Sequence, residues 1–149
     1  MVTDTIASVL QSKGKEIHSV PPATTVYDAL AVMAEKEVAA LLVMSDGGRL
    51  DGIVSTRDYG RKVVLRGKTA KNTRVRDVMT TSLTTATPEM TVGEGIRIMT
   101  EGHFRHLPVM EAGKLIGVVS MGDLARAVIS GQADTIDHLH SYIGMNYPA

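Results

Sequence analysis

Two short segments of this chain place a serine three residues ahead of an aspartate: Gly52-Ile-Val-Ser-Thr-Arg-Asp58 and Gly117-Val-Val-Ser-Met-Gly-Asp123. Two chemistries suit that spacing. One is helix capping, with the serine at the N-cap and the aspartate in the first turn, where it offsets the positive end of the helix dipole. The other is ligand recognition. An ionised carboxylate only accepts hydrogen bonds, so Asp58 or Asp123 could take both hydroxyls of a ribose diol. The hydroxyl of Ser55 or Ser120, with the first N–H groups of its helix, suits a ribose or phosphate oxygen. An aspartate repels phosphate, so a cation must sit farther out. Arg57, Arg61 and Lys62 adjoin the first segment, and Arg105 and His106 interrupt an apolar run ahead of the second. Lys13 and Lys15 are more distant candidates. Guanidinium binds phosphate through two parallel hydrogen bonds, which favours arginine in this role. Each of these basic residues has a plain alternative, a solvated strand end or a wet helix face.

The two segments belong to a longer duplication. With one gap at Gly47, residues 17–66 align with 83–131 at 16 identities in 49 columns. The matches include Pro22/Pro88, Thr25/Thr91, Met33/Met99, Leu41/Leu107, Val43/Val109, Gly52/Gly117, Ser55/Ser120 and Asp58/Asp123. A repeat of this size buries too little surface to be stable alone, so the two are expected to form one module.

Each copy reads as β-α-β-β-α. Thr25-Val-Tyr-Asp28 and Thr91-Val-Gly-Glu94 have capping-box spacing. Apolar residues then recur at helical intervals (Val26, Ala29, Leu30, Met33; Val92, Ile96, Met99). Paired β-prone runs flank a glycine-containing turn: Ala39–Met44 with Leu50–Val54, and Arg105–Met110 with Leu115–Val119. Second helices are expected at Arg57–Leu65 and Gly122–Ser130, stopped by Gly67 and Gly131. Short strands at Ile17–Val20 and Leu83–Ala86 open the copies, and helical turns near 4–12 and 75–79 lead into them. The expected organisation is repeat 1 at 4–66, a basic polar linker at 67–74, repeat 2 at 75–131 and a tail at 132–149. In that tail Ile136, Leu139 and Ile143 have the spacing of an amphipathic helix.

Composition narrows the function. The formal net charge is zero, and one Phe, four Tyr and no Trp leave little for stacking on bases, so nucleic-acid binding is not expected. With no Cys, thiolate metal sites, disulfides and a cysteine nucleophile are excluded. His138 and His140 fall on different helix faces, and His103 and His106 straddle a helix end and a strand, so no metal site is expected. Neither a nucleophile elbow nor a phosphate-loop lysine motif occurs, and the chain is not expected to be an enzyme. The N-terminus does not read as a signal peptide and no apolar run approaches a membrane span. A cytoplasmic protein that does not bind membranes is the expectation.

The tandem unit, with Gly-apolar-apolar-Ser-x-x-Asp after each hairpin, resembles the cystathionine-β-synthase (CBS) domain family over about residues 4–131. Local strings support this: Val78-Met-Thr80, Thr84-Thr-Ala-Thr-Pro88 and Phe104-Arg-His-Leu-Pro-Val109. The run Ser55-Thr-Arg-Asp-Tyr59, the basic linker and the tail near Thr135–Ile143 are similar to stand-alone bacterial two-repeat members. The resemblance implies an α+β fold, with two β-α-β-β-α repeats packed through their sheets in pseudo-twofold symmetry and an additional C-terminal helix. It implies two clefts between the repeats for adenosine-containing ligands such as AMP, ADP, ATP, NAD(H) or S-adenosylmethionine. It also implies a homodimer with a regulatory, non-catalytic role in energy or redox sensing, whose output passes to another, regulated protein. Carried over by position, Ser55, Thr56, Arg57 and Asp58, and Ser120, Met121, Gly122 and Asp123, would hold ribose and phosphate. Arg61, Arg105 and His106 would meet phosphates. Ile17, Val38, Ala39 and Ala40 in repeat 1, and Leu83, Thr84, Phe104, Leu107 and Pro108 in repeat 2, would line the adenine slot. Ala39 and Ala40 stand where repeat 2 has Arg105 and His106, so the clefts are not expected to be equivalent. The rival reading is a structural dimerisation module with unliganded clefts.

Overall fold

The computed structural model describes residues 4–14 and 16–131. Lys15 and the tail, with His138, His140 and the expected C-terminal helix, lie outside the described residues. The fold is α+β and divides into two compact units, one of residues 16–84 and one that joins the first fifteen residues to those from 85 onward.

In the unit of residues 16–84, strand β1 (Ser19–Val20) runs parallel to β2 (Ala40–Ser45), which pairs antiparallel with β3 (Arg49–Ser55). Helix α2 (Val26–Lys36) starts at Thr25, whose hydroxyl accepts the Asp28 N–H at 3.1 Å. Its face of Val26, Ala29 and Met33 packs with Leu41, Val43 and Val54 in the core. Ile17 and His18 precede the observed strand, which is shorter than expected, and Pro21 bars its extension.

The helix expected at Arg57–Leu65 is not a regular α-helix. One α turn, α3 (Thr56–Asp58), widens into a π turn at Tyr59–Val63 and tightens into a 3-10 turn at Val64–Arg66, closed by left-handed Gly67. The wide turn seats Val63, which is wholly buried, while the Lys62 ammonium reaches the Val78 carbonyl at 2.8 Å. Two tertiary demands on adjacent residues thus override the 3.6-residue period.

In the other unit, α1 (Ile6–Lys13) buries Ile6, Val9 and Leu10, and α4 (Val92–Gly102) buries Val92, Gly95 and Met99. Strands β4 (His106–Glu111) and β5 (Lys114–Ser120) form a hairpin through Ala112 and Gly113, both at positive φ. The strand expected at Leu83–Ala86 is absent. Only Ala86 bridges to Val109, donating to the Pro108 carbonyl and accepting from the Met110 N–H, each at 2.8 Å. The final helix, α5, is helical from 121 through 131, the last described residue.

Backbone hydrogen bonds explain why α1 groups with repeat 2. The Ile6 N–H donates to the Met90 carbonyl at 2.8 Å, the Ala7 N–H to Pro88 at 3.0 Å, and the Val92 N–H to Asp4 at 2.7 Å. Residues 88–92 thereby satisfy the first orphan N–H groups of α1. The same pattern joins residues 22–26 to 73–76: the Val26 N–H donates to Thr73, Val75 to Thr24 and Arg76 to Pro22. Segments 4–12 and 75–79, expected to lead into their own repeats, therefore dock on the first helix of the other repeat. The polar 67–74 stretch is more than a connector, because Thr73 is buried and Arg74 bridges to Thr25.

Gly52 and Gly117 mark close approaches to these docked segments. A Cβ on Gly52 would stand 2.7 Å from the Thr80 carbonyl oxygen and 2.9 Å from the Met79 sulfur; one on Gly117 would stand 2.8 Å from Leu10 Cδ2. Gly52→Ala must displace backbone paired to Ile53. We expect a loss of about 1–3 kcal/mol in urea-monitored unfolding, the usual cost of overpacking. A variant as stable as wild type would refute the close approach.

Candidate functional site

Each hairpin ends where a helix begins, and both capping boxes form. The Ser55 N–H donates to Asp58 Oδ2 at 2.9 Å, and the Asp58 N–H returns to Ser55 Oγ at 3.3 Å. In repeat 2 the Ser120 N–H donates to Asp123 Oδ2 at 2.8 Å, and the Asp123 N–H to Ser120 Oγ at 3.1 Å. The first helical N–H is also used: Thr56 donates to the Ala39 carbonyl at 3.0 Å and Met121 to the Arg105 carbonyl at 2.8 Å. Neither the Thr56 nor the Met121 N–H is therefore open to a phosphate oxygen. These bonds set Ala39 and Ala40 beside Ser55 and Thr56, and Arg105 and His106 beside Ser120 and Met121, with Ala40 opposite Ser55 and His106 opposite Ser120 in register.

Both carboxylates are nearly buried, Asp58 at 9 % exposure and Asp123 at 7 %. A buried charge must be paired, and each has cations. Lys62 Nζ lies 3.1 Å from Asp58 Oδ1 while donating to the Val78 carbonyl at 2.8 Å. Lys13 Nζ lies 2.6 Å from Asp123 Oδ2 while donating to the Val118 carbonyl at 2.9 Å. Arg126 Nη2 adds a 2.6 Å bond to Asp123 Oδ1. The duplicated carboxylates thus have the same kind of ammonium partner from different places in the chain.

Burial by itself would raise the Asp123 carboxyl, but the hydrogen bonds from Lys13 and Ser120 outweigh it and hold the group below its ordinary 3.8. Burial lowers the His106 imidazole below its ordinary 6.5; Lys13 and Arg105 push the same way and Asp123 opposes them. In this fold His106 therefore favours its neutral form.

The remaining candidates divide by burial. Leu107 is wholly buried and Pro108 is buried, its carbonyl accepting from the Ala86 N–H. Val38 and Phe104 are half-buried against their cores. Ile17 is half-buried, and Ala39, Thr56, Arg57, Arg61, Arg105 and Gly122 are exposed. Leu83 and Thr84 belong to the unit of residues 16–84, although they were expected to serve repeat 2. Arg126 went unnoticed in the sequence. Its signal was its position three residues after Asp123, matching Arg61 after Asp58. Among the described residues, no group of three His, Cys, Asp or Glu side chains could hold a metal ion, and no helix is long and apolar enough to cross a membrane.

The CBS domain profile matches residues 13–62 and 75–130. The chain belongs to the CBS domain family. It carries a pair of CBS domains, a regulatory module. Among curated relatives, the CBS domain-containing protein CBSX3, mitochondrial, of Arabidopsis thaliana is 38% identical over 96% of this chain and 73% of its own length. A CBS-domain protein structure from Burkholderia ambifaria superposes with a TM-score of 0.82 at 45% identity, covering 86% of this chain and 96% of the other. The structure of CBSX2 in complex with AMP has a TM-score of 0.69 at 30% identity, covering 87% of this chain and 98% of that one.

The two shifted groups fix distinct pH windows. His106 favours its neutral form in the folded state, so stability falls as pH drops from about 6.5 through its folded value. NMR titration should place its midpoint below 6.5, and a midpoint above would contradict the burial. Asp123 contributes stability that is complete above 3.8 and lost as pH falls through its lower folded value. Lys13→Met removes the main bond holding that value down. Acid unfolding followed by circular dichroism should then begin at higher pH than in wild type.

Proposed function

We propose that this CBS pair is a regulatory adenine-nucleotide-binding module whose Asp58 and Asp123 carboxylates grip ribose diols. The observation carrying the reading is the duplicated, buried carboxylate at a helix start. In each, Oδ2 is tied to the cap while Oδ1 meets a side-chain cation, Lys62 or Arg126. A buried carboxylate with cations beside it suits a ligand that brings two hydroxyls and a phosphate. The AMP complex of CBSX2 supports the ligand class. AMP, ADP, ATP and NAD(H) all carry the required group. An energy- or redox-sensing role, with output to a separate regulated protein, follows from that ligand choice.

The second reading is a dimerisation module with empty sites. It is favoured by the completeness of the carboxylates' internal partners, and by exposed Val64, Leu65 and Ile129 on the helical segments after the hairpins. Sedimentation of the ligand-free protein tests the homodimer.

A thermal-shift panel of AMP, ADP, ATP, NAD, NADH and S-adenosylmethionine tests the nucleotide reading. A ligand at 100 times its Kd should stabilise by about 2.7 kcal/mol. Asp58→Asn and Asp123→Asn are the informative variants. An amide oxygen keeps an acceptor for the cap, whereas alanine would also strip the helix start. Each should weaken binding by about 10–100-fold at its own site, the worth of hydrogen bonds to a charged acceptor. A panel in which no nucleotide moves the melting temperature leaves the dimerisation module standing.

A further inference from the structure

We infer that Arg126 is the phosphate-reading residue of the Asp123 site, exchanging its ion pair with Asp123 for a ligand phosphate while Lys13 holds the carboxylate in place. This rests on the nucleotide reading and adds to it a ligand class for one site: phosphorylated adenosine in preference to adenosine.

The two cations on Asp123 are unequal. Lys13 is anchored twice, to Oδ2 and to the Val118 carbonyl, and its side chain is 31% exposed. Arg126 makes a single bond to Oδ1, three residues along the same helix, and its side chain is 73% exposed. The guanidinium end of this pair is already solvated, so Arg126 leaves more readily than the twice-anchored Lys13, provided that an incoming hydroxyl replaces it on the buried carboxylate. A ribose hydroxyl arriving at Asp123 therefore takes Oδ1 and displaces Arg126, leaving the Lys13 and Ser120 bonds intact. The released guanidinium is then available to an anion within its reach. A phosphate ester on the same ribose supplies one in bidentate form, whereas adenosine offers none. Arg105, one residue before β4, accepts the Met121 N–H through its carbonyl and adds positive potential felt by His106.

The first site is built otherwise. Lys62 takes Asp58 Oδ1 and is also tied to the Val78 carbonyl, so the cation facing the free side of this carboxylate is anchored. Arg61, the repeat counterpart of Arg126, lies on the π turn and is exposed; the ion pair on Asp58 is made by its neighbour Lys62. The exchange belongs to the Asp123 site.

Calorimetric titration of the full chain with AMP and with adenosine tests this, for wild type and Arg126→Gln, each repeated in an Asp58→Asn background to isolate the Asp123 site. Wild type should bind AMP about tenfold or more tightly than adenosine. Arg126→Gln should lose that preference by weakening AMP alone, with adenosine unchanged or tighter because Oδ1 has lost its competitor. Equal weakening of both ligands would mark Arg126 as merely structural and overturn the inference. So would AMP binding that Arg126→Gln leaves unchanged, with the nucleotide reading still intact. If wild type binds neither ligand, the nucleotide reading fails and the inference goes with it.

Discussion

Two aspartates buried at helix starts organise what surrounds them. A carboxylate at 7 to 9 % exposure persists as an anion only when its oxygens are met by donors and cations. Each aspartate therefore gathers a serine N–H from the end of a strand and an ammonium from a distant or following segment. That ammonium in turn reaches a backbone carbonyl, Val78 in one unit and Val118 in the other. Hairpin, helix start and docked segment are held to a single charge. Removing any one donor leaves part of that charge unpaired, so the cap and the core beneath it are coupled.

Duplication with divergence is visible in how the ammonium is supplied. In repeat 1 it comes from Lys62, on a helix that widens into a π turn. In repeat 2 the matching residue is Ala127, the helix stays α, and the ammonium comes from Lys13 on α1. The electrostatic requirement has been kept while the residue meeting it has changed. The consequence is electrostatic asymmetry. One carboxylate has an anchored cation on its outer oxygen, the other an exposed arginine.

Much of this was legible. Both capping boxes, both hairpins and their glycine-containing turns follow from local spacing, and the CBS family assignment follows from the duplicated order. The hairpin strands moved by one residue at most, as from Ala39–Met44 to Ala40–Ser45 and from Arg105–Met110 to His106–Glu111. Elements that depended on distant partners were misread. The Leu83–Ala86 strand shrank to a single bridge, and the 57–65 helix changed type because Val63 and Lys62 answer to different neighbours. The sequence shows His106 as a basic residue type, and its burial in the fold favours the neutral form.

The amino-acid sequence alone determined that there are two matched units, each with a capped helix and a hairpin, and where each Ser/Asp pair begins a helix, because capping and strand alternation act over three or four residues. Only the tertiary structure decided that α1 joins repeat 2, that residues 73–79 join repeat 1, and that Lys13 neutralises Asp123. That ion pair spans 110 positions. An interaction closed over such a distance is selected by packing and by the cost of an unpaired buried charge, and neither leaves a local pattern along the chain.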